Sequence, residues 1–122
     1  MNELINSIRA WGIAKGITGP NGKGTLLGQL SKTQEELTET RDAAVKLGER
    51  HACSPDAFDS AEAELKDGIG DVFVTIVLAA EITGLDFQAC VQAAYDEIKG
   101  RTGTMVDGVF VKDQPIGKGG KL

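Results

Sequence analysis

Residues 64–80 read Glu64-Leu-Lys-Asp67-Gly-Ile-Gly-Asp71-Val-Phe-Val-Thr-Ile-Val-Leu-Ala-Ala80. From Val72 onward the run is apolar for nine residues apart from one threonine. That is far short of the roughly 20 residues needed to span a bilayer, so the stretch predicts a core helix, not a membrane anchor. Upstream, Ser54 suits an N-cap, Pro55 a first helical residue and Asp56 a first-turn acid. Downstream, Gly84 suits the position after the last helical turn. The expected helix therefore runs from about 55 to 83, with a kink at Gly68 or Gly70. Asp71 is the only charge between Gly68 and Ala80, which predicts a buried carboxylate in need of a cation from outside its own helix.

A second long helix is expected before it, from Thr25 to about His51. Leu26, Leu27, Leu30, Leu37, Ala44 and Leu47 form a seam expected to face a partner helix. A first helix is expected over 3–15 from the spacing of Leu4, Ile5, Ile8, Trp11 and Ile13, followed by a loop over the glycine-rich residues 16–24. Asp86 caps a fourth helix that runs to about Lys99. Asp107-Gly108, between β-branched and aromatic residues, predicts a two-residue hairpin within 104–111. The sequence thus predicts an all-α fold, an antiparallel four-helix bundle with a short C-terminal β-hairpin, forming one domain over 1–112. A Gly/Lys-rich tail, expected to be mobile, follows over 113–122.

The chain has 122 residues and a net charge of −5. No basic patch dominates, so duplex nucleic acid is not an expected partner. Neither is a membrane. Cys53 and Cys90 form no CxxC pair and no disulfide framework, and the N-terminus lacks the long apolar run of a signal peptide. A soluble protein of a reducing cytoplasm is expected, the host's cytoplasm if the chain is viral.

Chemistry concentrates in two acidic clusters. In Gln34-Glu35-Glu36-Leu37-Thr38-Glu39, residues three apart lie about 60° apart around a helix. Glu36 and Glu39 share a direction, and Glu35 with Glu39 is the other usable pair. Glu64, Asp67 and Asp71 likewise fall on one face of the following helix. Carboxylates facing each other across two helices form an oxygen-rich site suited to Mg²⁺, with Mn²⁺ as the alternative. The plainer reading of EExxE is a solvated helix face. A structural ion pair of Asp71 with Lys32 or Arg41 is another. A di-iron bundle would need two Glu-x-x-His motifs, and the chain's one histidine, His51, lies in none.

With these residues quoted, the chain resembles the MazG-like nucleoside triphosphate pyrophosphohydrolases, and especially their small phage-type branch. The family hallmark is EExxE on one helix and ExxD on the next. Glu35-Glu36-Leu-Thr-Glu39 matches the first part, and Gln29-Leu-Ser-Lys32 and Trp11-Gly-Ile-Ala-Lys15-Gly resemble the family's lead-in segments. Asp71 and the apolar run after it resemble the second part. The position three before Asp71, however, holds Gly68, not Glu. Asp67 stands one residue further back, and Glu64-Leu-Lys-Asp67 also satisfies ExxD. The second motif therefore has two registers, Glu64/Asp67 or Asp67/Asp71. Ala94–Arg101 and Met105–Lys112 resemble the end of the phage-type branch, with Asp96 where the family has Asn. The resemblance spans residues 11–112.

The resemblance implies hydrolysis of a (d)NTP between the α- and β-phosphates, giving a (d)NMP and pyrophosphate. It implies metal ligands at Glu36, Glu39, Asp67 and Asp71, with Glu64 as the alternative. Glu35 or Glu39 would orient the attacking water or take its proton. Lys32, Lys99 and Arg101 are candidate phosphate contacts, although cations at a helix C-terminus, such as Lys99 and Arg101, are favourable without any ligand. Tyr95 and Asp96 are candidates for base or sugar contact. Trp11 is read first as core packing and second as a base-stacking residue. The resemblance further implies a homodimer or homotetramer. The rival is a non-catalytic helical module that senses a nucleotide or binds a protein. A guanosine polyphosphate hydrolase of the metal-dependent His/Asp kind would lack its histidines here.

Overall fold

The computed structural model describes residues 2–49 and 55–114. Four helices, α1 (Asn2–Ala14), α2 (Leu26–Gly48), α3 (Pro55–Thr83) and α4 (Phe87–Ile98), precede two strands, β1 (Gly103–Val106) and β2 (Val109–Lys112). The chain divides into two compact units, Met1–Phe87 and Gln88–Leu122. The helical class and the C-terminal hairpin are as the sequence predicts. Ser54, His51, Cys53 and most of the C-terminal tail lie outside the described residues. Among the described residues, no single helix is long and apolar enough to cross a membrane.

Local chemistry sets the element boundaries. Thr25 caps α2, its hydroxyl accepting from the Gly28 N–H at 3.1 Å. Gly84 takes φ +77° after α3, while the Leu85 N–H bonds to the Ala80 carbonyl at 3.0 Å, closing the last turn as a left-handed glycine does. In the second unit, β1 and β2 pair antiparallel with Met105 opposite Phe110. Their turn puts Asp107 at φ 49° and Gly108 at φ 82°, the two positive angles of a type I′ hairpin.

In the first unit α2 and α3 run antiparallel, since Thr33 meets Thr75, Thr40 meets Gly68 and Lys46 meets Glu64. The face of α2 turned to α3 shares Leu47 with the predicted seam but not Leu27 or Leu37. It carries Thr33, Glu36, Thr40, Ala43 and Leu47, all buried or half-buried, whereas Leu27 and Leu37 are 77 % and 55 % exposed. Small side chains win this contact because the helices approach closely: a Cβ at Gly68 would collide with Thr40. That closeness is also the role of Gly68, which does not kink the helix; α3 is continuous through both glycines. A polar chain crosses the same seam, in which Thr33 Oγ1 donates to Thr75 Oγ1 at 2.8 Å and Thr75 Oγ1 donates to the Val72 carbonyl at 2.8 Å.

The apolar core sits at the other end of α3. Ile5, Val77, Ala80 and Phe87 are buried together, with Ile8, Phe73 and Ile76 packed on them. The rings of Phe73 and Phe87 meet edge to face at 5.1 Å. Arg9 ties α1 to this end, reaching Glu81 at 3.0 Å and Asp86 at 2.8 Å. With the core gathered at this end, the other half of the α2–α3 pair is free to carry polar groups.

Candidate acidic site between α2 and α3

The polar half of the α2–α3 pair opens into a cleft of about 370 Å³, lined by Glu39, Asp42, Lys46, Glu64, Asp67, Gly68 and Asp71. Helical spacing puts them there: 39, 42 and 46 share one flank of α2, as 64, 67 and 71 share one flank of α3. Glu36 lies one turn from Glu39 and is only 9 % exposed. Glu39, Glu64, Asp67 and Asp71 line the cleft, and Glu36 lies beside Glu39. Both registers of the second motif lie on the cleft. Gly68 is pressed against Thr40, where a longer side chain has no room.

The expectation that Asp71 is buried is corrected: it is exposed. The apolar run after it is half-buried over Val72, Phe73 and Val74 and only in part fully buried from Thr75 onward, whereas Asp71 itself lines the cleft. Neither Lys32 nor Arg41 pairs with it. Among the described residues no cation lies within ion-pair distance of Asp71.

The electrostatics at Glu39 and Asp71 follow from neighbouring carboxylates opposed by the single ammonium of Lys32. The Asp71 carboxyl is raised above its ordinary range, first by desolvation, then by the charges of Glu36 and Asp67, with Lys32 opposing. Glu39 is raised first by the charge of Glu36, then by a carboxyl–carboxyl hydrogen bond to Glu36, by desolvation and by Glu35, again with Lys32 opposing. Lys32 is the local counter-charge, with its ammonium 3.3 Å from Glu35 and 3.4 Å from Glu36. Lys46 spans the cleft to Glu64 at 3.2 Å. Sequence reading missed Asp42 and Lys46, although their spacing from Glu39 (three and seven residues) was the available signal.

The donor set is all oxygen and rich in negative charge, which suits a hard divalent cation. Among the described residues, no three His, Cys, Asp or Glu side chains converge tightly enough to enclose a metal on their own. An open arrangement of that kind leaves positions for water and phosphate oxygens, which Mg²⁺ characteristically keeps.

Trp11 is not a core residue. It is 47 % exposed and lines a groove with Ser7, Ile8, Val74 and Asp71, so Asp71 borders both the acidic cleft and an apolar, aromatic groove. The remaining predicted residues belong to the second unit and are described within it. There Lys99 pairs with Asp96 at 3.2 Å, Arg101 pairs with Glu97 at 3.4 Å, and Tyr95 is 56 % exposed. Comparison with protein-family models, with curated proteins and with solved structures finds no match to this chain.

Proposed function

We propose that this chain is a Mg²⁺-dependent nucleoside triphosphate pyrophosphatase, hydrolysing a (d)NTP to a (d)NMP and pyrophosphate. The observation that supports it best is the cleft itself. Carboxylates from two helices crowd together until Glu39 and Asp71 are both raised by their neighbours, a charge imbalance that a divalent cation relieves. The MazG-like resemblance of the two motifs supplies the reaction.

In this reading Glu36, Glu39, Asp67 and Asp71 hold the metal, and Glu64 stands at the rim beside Lys46. Bound there, Mg²⁺ supplies neutralisation of phosphate charge and polarisation of the attacking water. Glu35 or Glu39 would orient that water or accept its proton. Lys32 holds Glu35 and Glu36 in place and lies within reach of an incoming phosphate. Trp11 offers its exposed face to the base from the groove that shares Asp71. Lys99 and Arg101 are proposed as phosphate contacts, and Tyr95 and Asp96 as base or sugar contacts. The reading includes a homodimer or homotetramer and a reducing cytoplasm, the host's if the chain is viral. Mn²⁺ is the alternative metal.

The test is pyrophosphate release from a panel of NTPs and dNTPs with Mg²⁺, on the wild type and on Glu39→Gln and Asp71→Asn. Release by the wild type and loss in both folded variants is expected. Full activity in either variant sinks that residue's assignment. The second reading, a nucleotide-sensing module without turnover, draws on Gly68 in place of the glutamate and on the open ligand set. Tight binding of one nucleotide with no pyrophosphate from any would establish it.

A further inference from the structure

Among the described residues that line the acidic cleft, Lys46 is the one cation; Glu39, Asp42, Glu64, Asp67 and Asp71 carry the opposite charge. Its ammonium donates to Glu64 Oε2 across the cleft at 3.2 Å. The two side chains are 59 % and 49 % exposed, and an ion pair that open to water contributes little and is readily exchanged. Lys32 is placed differently. It is not part of the cleft lining, and its ammonium is shared between Glu35 and the largely buried Glu36. Of the two lysines, Lys46 is the one whose charge an anion in the cleft can take over.

The cleft also has a direction. Because α2 and α3 run antiparallel, Glu39 and Asp71 lie toward one end of it and Lys46 and Glu64 form the other. Seven residues separate the two ends on each helix, a rise of about 10 Å, which is room for a triphosphate chain. Asp71 also borders the groove lined by Ser7, Ile8, Trp11 and Val74. That groove is apolar and aromatic and suits a base, not a phosphate. A base placed there leaves the phosphate chain to run away from Trp11, past Asp71 and Glu39, toward Lys46.

We infer that Lys46 binds the terminal phosphates of the substrate, leaving Glu64 when the nucleotide arrives and returning to it when pyrophosphate departs. This rests on the triphosphate reading of the cleft proposed above and adds the direction in which the substrate lies. In that reaction the water oxygen bonds to the α-phosphorus, and the bridging oxygen leaves on pyrophosphate with the electron pair of the broken P–O bond. The water's proton passes to Glu35 or Glu39. The departing charge gathers on the β-phosphate, where a lysine acts as a point charge. Asp42 and Asp67 flank the path and repel a bare polyphosphate, so the phosphates enter as their Mg²⁺ complex. A nucleoside monophosphate, with no β-phosphate, stops short of Lys46.

The experiment is calorimetric titration of the full chain with pyrophosphate in the presence of Mg²⁺, a probe that requires no knowledge of the preferred base. Lys46→Met is expected to weaken pyrophosphate binding about tenfold, while affinity for Mg²⁺ alone and for nucleoside monophosphates stays at the wild-type value. Lys46→Arg, which keeps the charge, is expected to retain most of the binding. Circular dichroism checks the helicity of both variants. Pyrophosphate affinity unchanged in Lys46→Met, a loss as deep in Lys46→Arg, or an equal loss for monophosphates would overturn the inference and leave pyrophosphate release by the wild type untouched. A wild type that binds no pyrophosphate with Mg²⁺ would also overturn it. A wild type that binds pyrophosphate through Lys46 and releases none from any nucleotide would uphold the inference and sink the hydrolytic reading alone.

Discussion

Gly68 and Gly70 lie two residues apart on the same helix, and the structure assigns their alanine variants opposite signs. In an open helix position, Gly→Ala stabilises by about 1 kcal/mol through backbone entropy. Gly70 is such a position: a Cβ there meets nothing within 4 Å. At Gly68 the added Cβ lies 3.0 Å from Thr40 Cβ and 3.1 Å from Thr40 Cα, and closer still to Thr40 Oγ1. The hydroxyl cannot swing away freely, because it donates to the Glu36 carbonyl at 2.7 Å, and the Cα belongs to the α2 backbone. Relief requires the helices to part, an overpacking cost of about 1–3 kcal/mol. Set against the helix gain, Gly68→Ala should be about 0–2 kcal/mol less stable than wild type and Gly70→Ala about 1 kcal/mol more stable. For a chain of this size that separates their midpoints by roughly 3–15 °C. Thermal and urea unfolding followed by circular dichroism measure it. Thr40→Ala in the Gly68→Ala background should recover part of the loss, since it removes Oγ1 but leaves the Cα and Cβ contacts. A Gly68→Ala midpoint equal to or above that of Gly70→Ala would refute the close approach.

Glu39→Gln and Asp71→Asn should each lower Mg²⁺-dependent pyrophosphate release by about 10²-fold or more while the circular dichroism spectrum stays unchanged, as steady-state assays at saturating Mg²⁺ would show. The raised carboxyls of Glu39 and Asp71 fix the sign of a pH effect. The folded metal-free chain binds protons more readily than the unfolded one, so stability rises as pH falls from neutral toward the ordinary values of 4.5 and 3.8 and is lost as pH rises through the raised values. Melting curves from pH 7 to pH 5 without metal check this, and a midpoint that falls over that range would count against the crowding of the cleft. Because Lys32 lowers both groups, Lys32→Met should push the Glu39 and Asp71 titrations further up, as side-chain carboxyl NMR would record; no movement would remove Lys32 from the site.

Much of this architecture is written in local signals. Thr25, Pro55, Gly84 and Asp107-Gly108 mark boundaries through cap and turn chemistry that depends on a few neighbouring residues, and the structure places elements at each. The faces of α2 were harder to read, because hydrophobicity and burial part company there. The leucines are the strongest apolar signal in the helix, yet the α2–α3 contact selects Thr33, Thr40, Ala43 and Gly68, residues small enough for the backbones to approach. Periodicity finds the apolar stripe but does not say whether its partner lies in the same chain. Asp71 illustrates the same limit along α3. Its apolar neighbours suggested burial, but cover on a helix depends on what packs over each turn, and beside Asp71 α1 leaves an open groove. The acids of the cleft were legible because their spacing is a property of the helix itself. Asp42 and Lys46 obeyed the same spacing and drew no attention because each is an ordinary surface residue when read alone. The close contact at Gly68 leaves no room there for a longer side chain, so α3 presents its acids to the cleft from the positions around it, at Glu64, Asp67 and Asp71.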